Sequence, residues 1–228
     1  MKRLGLKRHV ARVKPILTAQ HRKDRLAWAA KYKDFDNWPL VIFMDEAKMW
    51  IGGSTVEWVT RADGDAFNPA CVIPAAKKGE GVMVWAAIWL GGRTELVRFD
   101  LSIVKKPLLE EWKKVVQLWR GYGTPYILQD NVPLHWTPPI RAFLKKHKFQ
   151  YIDHPASSPD LNPIENCRAI VKRRLKLLPE RPTNLDELFE AANKLWMEIP
   201  QEKIDACIES MEARRKAVEK AHGFGTKY

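Results

Sequence analysis

The run LVIFM at residues 40–44 lies between Pro39 and Asp45. Five consecutive apolar residues, bounded by a proline and a charged residue, predict a buried strand at the centre of a sheet. A strand covered on both faces has no alternation of polar and apolar residues. The run is followed directly by Asp45, so a carboxylate is expected where this strand ends.

The other strands and helices are predicted from similar patterns. Strands are expected at residues 56–60, 81–90, 95–99, 126–129 and 149–152. Helices are expected at residues 18–32, 107–119, 138–147, 163–177, 184–198 and 201–221. Strands come first, alternating helices and strands follow, and a helical tail ends the chain. This order predicts an α/β fold with a central mixed sheet flanked by helices.

Length and composition narrow the class of protein. A chain of 228 residues suits one domain of moderate size with short extensions. No stretch approaches the roughly 20 apolar residues needed to cross a membrane, and the charged N-terminus lacks a signal-peptide pattern. The 3 cysteines are far apart in the sequence and suggest neither a disulfide framework nor a zinc site. A reducing, intracellular compartment is therefore expected.

The charge of the chain favours a polyanionic partner. Lys and Arg number 39 and Asp and Glu number 27, so the net charge is +12. Residues 1–35 contain eleven of the basic residues and two acidic ones. Such a basic arm is expected to contact nucleic-acid phosphates. The candidate contacts in the arm are Lys7, Arg8, Arg12 and Lys14.

Three carboxylates occupy positions from which a folded chain could bring them together. Asp45 and Asp130 each follow a predicted strand, and Glu165 lies in the first turn of the helix after SSPDLNP (157–163). If the two strands are adjacent, both aspartates emerge at one edge of the sheet, and the helix can place Glu165 over them. Phosphodiester cleavage by two metal ions about 3.5–4 Å apart needs such convergent carboxylates.

Each carboxylate also has an ordinary structural interpretation. Glu46, beside Asp45, is an alternative ligand, and Asp130 could belong to a turn. Asn162 and Glu165 have the spacing of a capping box, in which the glutamate would only cap the helix. Asp160 is a further alternative for the third ligand.

The blocks VIFMDE (41–46), QDNVPLH (129–135) and SPDLNPIEN (158–166) together resemble the signatures of Tc/mariner superfamily DDE transposases. The similarity extends over nearly the whole chain, including the ending GFGTKY (223–228). It implies an RNase H-like fold and identifies Asp45, Asp130 and Glu165 as the catalytic and metal-binding residues. Positions 131–164 separate the last two acids by 34 residues, which resembles the branch with Glu as third ligand. This spacing argues against Asp160.

The resemblance also implies a reaction and its partners. Two Mg²⁺ or Mn²⁺ ions would support endonuclease cleavage of transposon ends in double-stranded DNA. The 3′-hydroxyl ends would then be integrated at TA sites of target DNA. A homodimer in the DNA complex and a nuclear location are expected. Asn131 and His135 are expected to have supporting roles near the metals. Lys172, Arg173 and Arg174 are expected to contact DNA phosphates.

The sequence departs from the family pattern in two places. Asn166-Cys167-Arg168-Ala169 stands where a Trp usually follows NPIEN, which predicts a lost aromatic packing contact. At the front, MKRLGLKRHV resembles only the end of the second DNA-reading helix, so we expect a truncated DNA-binding region. The predicted division is a basic end plus linker helix (1–36), a catalytic domain (37–178) and a helical extension packed on it (179–228).

Two other functions compete with the transposase interpretation. A transposase-derived DNA-binding or partner-binding protein without catalytic activity would fit the incomplete front of the chain. An RNase H-type nuclease with another substrate would fit the expected fold. The family blocks argue against the nuclease, and the complete set of three acids argues against the loss of catalysis.

Overall fold

The computed structural model of the chain describes residues 17–51, 80–99, 107–119, 123–129 and 138–228. The strand predicted at residues 56–60 and the basic arm up to residue 16 lie outside these ranges.

A mixed sheet forms the centre of the described structure. Its strands are β1 (Val41–Trp50), β2 (Gly81–Trp89), β3 (Gly92–Arg93), β4 (Val97–Phe99), β5 (Tyr126–Leu128) and β6 (Gln150–Ile152). They are arranged in the order β3-β2-β1-β5-β6, and β4 also pairs with β2. β1 is antiparallel to β2 and parallel to β5, which is in turn parallel to β6. The run LVIFM thus supplies a central strand, as predicted.

The predicted end of this strand at Asp45 is wrong, because β1 continues to Trp50. In its second half Ala47 and Met49 are buried and Trp50 is exposed. This alternation, together with pairing to β2 along the added length, extends the strand. Asp45 therefore lies within β1 and not at its end.

The helices of the described ranges largely match the predicted ones. They are α1 (Ala19–Lys31), α2 (Pro107–Leu118), α3 (Pro138–Lys146), α4 (Ile164–Lys176), α5 (Leu185–Met197), α6 (Gln201–Glu209) and α7 (Met211–Lys220). The single helix predicted at residues 201–221 is wrong, because the chain breaks it at Ser210. The Ser210 hydroxyl donates to the Cys207 carbonyl, 2.6 Å away, and so competes for a helical acceptor. Within the described ranges, each helix is too short or too polar to cross a membrane.

The two faces of the sheet carry separate hydrophobic cores. Phe43 and Ala47 of β1 belong to a core that includes residues of α1 and of α4 through α7. Ile42 and Met44 belong to a second core, which includes residues of α2 and α3. The alternation of β1 side chains between two helical layers confirms the α/β class.

Candidate functional site

β1 and β5 bring two sequence segments with candidate aspartates side by side. The strands are adjacent and parallel, and their last paired residues are Phe43 and Leu128. In the sequence, each of these residues stands two positions before an aspartate, Asp45 or Asp130. The adjacency on which the predicted site depends is therefore present. Three predicted site residues lie outside the described ranges, namely Asp130, Asn131 and His135.

The alternation of side chains along β1 separates Asp45 from Glu46. Asp45 follows Phe43 on the face covered by α4, whereas Glu46 follows Met44 on the face covered by α2 and α3. The carboxylates of Asp45 and Glu165 both contact one nitrogen, Nη1, of Arg168. The structure thus brings Asp45, rather than Glu46, to the predicted third ligand.

Asn162 ties the start of α4 to β1. Its side-chain amide donates to the Met44 carbonyl at 3.1 Å, and its amide oxygen accepts from the Ile164 backbone N–H at 3.4 Å. No side-chain hydrogen bond caps the start of α4 at Pro163. The capping box considered for Glu165 is therefore not formed, and the Glu165 side chain is available to Asp45. Sequence reasoning treated Asn162 only as a possible cap and missed this tether.

Arg168 is a site residue that sequence reasoning missed. Its buried guanidinium contacts the Asp45 carboxylate and donates to the Glu46 carbonyl. One terminal nitrogen, Nη1, is also 3.5 Å from Glu165 Oε1. The position was expected to lose an aromatic contact, but it places a cation between the two carboxylates. The available signal was its spacing of three residues from Glu165, which puts both on one helix face.

The surroundings of Asp45 make its carboxyl retain a proton more readily than a free aspartate does. Burial raises the pKa of the Asp45 carboxyl to about 7, Arg168 opposes this rise, and the Glu165 carboxyl adds to it. Burial is thus the main cause of the raised pKa, and the Glu165 carboxyl contributes less. Hard divalent cations prefer such oxygen donors, so Asp45 and Glu165 fit part of a metal site.

The raised pKa of Asp45 predicts a pH dependence of stability. An unfolded Asp45 would titrate near 3.8, whereas the folded one titrates near 7, so the folded state binds its proton more readily. The stability contributed by this group is complete below about pH 4 and is lost as the pH rises through about 7. In EDTA, the free energy of unfolding should fall over this range more steeply for the unchanged chain than for Asp45→Asn. The free energies of unfolding would be measured by urea titration at each pH. An equal dependence on pH for the two proteins would contradict the raised pKa of Asp45.

Asp160, the alternative third ligand, is committed to a buried network. It accepts two hydrogen bonds of 2.7 Å from Arg25 and one of 2.8 Å from the Thr226 hydroxyl. Its backbone carbonyl accepts from Arg214 at 2.8 Å. Burial alone would raise the pKa of Asp160, but Arg25 and Thr226 outweigh it and hold the pKa below its usual value. The arrangement gives Asp160 a structural role.

The three basic candidates on α4 face different directions. Lys172 lies two helical turns after Glu165 and shares its face. Arg174 points away from that face, and its guanidinium is 3.9 Å from the Glu198 carboxylate. Arg173 is exposed beside them. Of these three candidates, Lys172 is thus the one best placed to reach a phosphate at the site. The candidates of the basic arm, Lys7, Arg8, Arg12 and Lys14, lie outside the described ranges.

The described residues contain part of the predicted metal site. Among them, no three His, Cys, Asp or Glu side chains lie close enough to hold a metal ion. The third predicted ligand, Asp130, falls outside the described ranges. Asp45 and Glu165 are the two predicted ligands that the structure describes, and it brings them together.

Sequence comparisons associate the chain with transposases. Residues 40–188 match the family described as DDE superfamily endonuclease. The Tcb2 transposase of Caenorhabditis briggsae is 31% identical over 223 residues, which cover 94% of this chain and 81% of that protein. The Tc1 transposase of Caenorhabditis elegans is also 31% identical, with the same two coverages of 94% and 81%.

Solved structures of similar fold include several of the Mos1 transposase. The Mos1 mariner paired-end complex with Mn has a TM-score of 0.79 at 16% identity, covering 99% of this chain and 70% of that chain. The Mos1 catalytic domain has a TM-score of 0.69 at 15% identity, covering 95% of this chain and 99% of that one. These likenesses show the fold, which is the predicted RNase H-like one.

Proposed function

Because this chain belongs to the DDE superfamily of endonucleases and is a transposase catalytic domain, we propose that Asp45, Asp130 and Glu165 hold divalent metal ions that cut and join DNA. Two ions, Mg²⁺ or Mn²⁺, are proposed. Support for this choice comes from the donor set, which in the described residues consists of carboxylate oxygens.

One observation carries the proposal. Asp45 of β1 and Glu165 of α4 both contact Arg168 Nη1, although they stand 120 residues apart in the sequence. Two acids forced together in a partly buried site repel each other once both are ionised. A fold retains such an arrangement at a cost to stability, which a bound cation would relieve. The pairing of β1 with β5 supports Asp130 as the third member.

In the proposed mechanism, bound metal ions would supply activation of the attacking oxygen and stabilisation of the leaving oxygen at phosphorus. Asp45 and Glu165 would bind and orient the ions from a strand and a helix, and the Asn162 tether keeps these two elements in register. Asp45 must lose its proton before it can act as a ligand, and a bound cation would favour that loss. Lys172 would hold a phosphate of the DNA strand beside the site. Asn131 and His135 would have supporting roles near the metals.

Double-stranded DNA is the proposed partner and substrate. The net charge of +12 and the basic residues near the start of the chain support phosphate contacts. Structural neighbours include Mos1 paired-end complexes with DNA ends, which supports a homodimer that holds two ends. Integration at TA sites and a nuclear location belong to the same proposal.

A joining assay tests the proposed function. The chain would be incubated with pre-cleaved duplex ends and a supercoiled plasmid in Mg²⁺ or Mn²⁺. The proposal expects joined products that EDTA abolishes and that Asp130→Asn loses. DNA binding without nicking or joining in either metal would instead favour the non-catalytic alternative.

A further inference from the structure

Arg168 occupies the place between the two described carboxylates. Its side chain is buried, contacts Asp45, and has one nitrogen 3.5 Å from Glu165 Oε1. A further hydrogen bond to the Glu46 carbonyl fixes the guanidinium against β1. The contacts with both carboxylates make Arg168 their counter-ion in the metal-free protein.

The charge of a guanidinium in this position opposes the binding of an adjacent divalent cation. A metal ion bound to Asp45 and Glu165 would lie within a few ångströms of the Arg168 charge and would be repelled by it. Arg168 and the metal would compete for the negative charge of the same two carboxylates, through Asp45 Oδ2 and Glu165 Oε1. Binding of the metal is therefore expected to draw Arg168 away from at least one of them.

Lys172 provides a second positive charge near Asp45 and Glu165. The pKa of Lys172 is lowered, first by partial desolvation and next by the nearby Arg168, while Glu165 and Asp45 oppose this decrease. Arg168 and Lys172 follow Glu165 at three and seven residues, so all three lie on one face of α4. Arg168 is the one of the two cations that contacts both carboxylates.

We propose that Arg168 competes with the divalent cation for Asp45 and Glu165, pairing the carboxylates in the metal-free protein and lowering its metal affinity. Arg168 is then a positioning residue whose charge sets the metal concentration at which the site fills. The inference rests on the proposed metal site and adds to it a competing group within the same chain.

Mn²⁺ binding to the full chain, measured by calorimetry and by the electron paramagnetic resonance of free Mn²⁺, tests the proposal. Arg168→Gln keeps polar contacts but removes the charge, and should tighten binding by about tenfold or more. Arg168→Lys keeps the charge and should remain near the unchanged chain. The matched control is Lys176→Gln, which removes an exposed cation from the same helix and should also leave the affinity unchanged.

Stability gives a second, independent measurement. In EDTA, Arg168→Gln should melt below the unchanged chain, because its two carboxylates lose their counter-ion. Mn²⁺ should raise the melting temperature of Arg168→Gln more than that of the unchanged chain. If the variant is unfolded in EDTA, refolding with Mn²⁺ supports the proposal and failure to refold counts against it.

The outcomes separate this inference from the proposed function. If the unchanged chain does not bind Mn²⁺, or if Asp45→Asn binds it equally well, the metal site itself is wrong. If that binding is present and Arg168→Gln binds Mn²⁺ no more tightly, the competition is overturned and the metal site stands.

Discussion

Glu165→Gln is expected to slow strand joining by about 10²–10³-fold while leaving the fold intact. Glutamine has nearly the same shape and can keep the contact with Arg168. It lacks the negative charge that makes a carboxylate a strong ligand for a divalent cation. The change also removes one of two crowded carboxyls, so the free energy of unfolding in EDTA should not decrease. Joining rates and urea unfolding of the same preparation measure both effects.

Glu46→Gln is the matched control for this substitution. Glu46 is also a carboxylate near the site, but it follows Met44 on the opposite face of β1. Its replacement should leave the joining rate close to that of the unchanged chain. A fully active Glu165→Gln, or an equal loss in Glu46→Gln, would remove Glu165 from the proposed set of ligands.

The largest expected loss of stability follows from Asp160→Ala. This change removes the carboxylate that binds Arg25 and Thr226 and leaves a fully buried guanidinium unpaired. Breaking a buried pair in this way costs about 3–5 kcal/mol. For a chain of this size, the melting temperature should decrease by about 6–20 °C. Differential scanning calorimetry measures the shift.

The control for Asp160→Ala is an exposed ion pair whose basic residue, like Arg25, lies on α1. Lys31 and Asp153 are paired, with 59% and 67% of their side chains exposed. Because exposed pairs contribute only about 0–1 kcal/mol, Asp153→Ala should change the melting temperature little. Similar losses for Asp153→Ala and Asp160→Ala would mean that the Asp160 network contributes no special stability.

Local sequence patterns were sufficient for most of the elements. The central strand, the strands β5 and β6 and the start of α1 at Thr18 follow from apolar runs, alternation and capping residues. Ser210 shows the limit of this reasoning. Its side-chain hydrogen bond to Cys207 divides an otherwise helical pattern, and a helical pattern alone does not show which serine will do so.

Residues whose side chains suit metal binding could be predicted from the sequence. Residues whose role depends on a contact with a distant part of the chain could not. Asp45 and Glu165 were identified, and the structure brings them together. The bond from Asn162 to Met44 spans 118 residues, and that from Arg25 to Asp160 spans 135. Such contacts arise from the packing of helices on the sheet, which local patterns do not contain.

The anomalous scattering of Mn²⁺ in crystals of the chain with pre-cleaved DNA ends tests the central claim most directly. The account predicts Mn²⁺ within about 2.0–2.3 Å of carboxylate oxygens of Asp45, Asp130 and Glu165, with Arg168 displaced from at least one of them. Mn²⁺ held by other residues, or none at this position under saturating Mn²⁺, would contradict it.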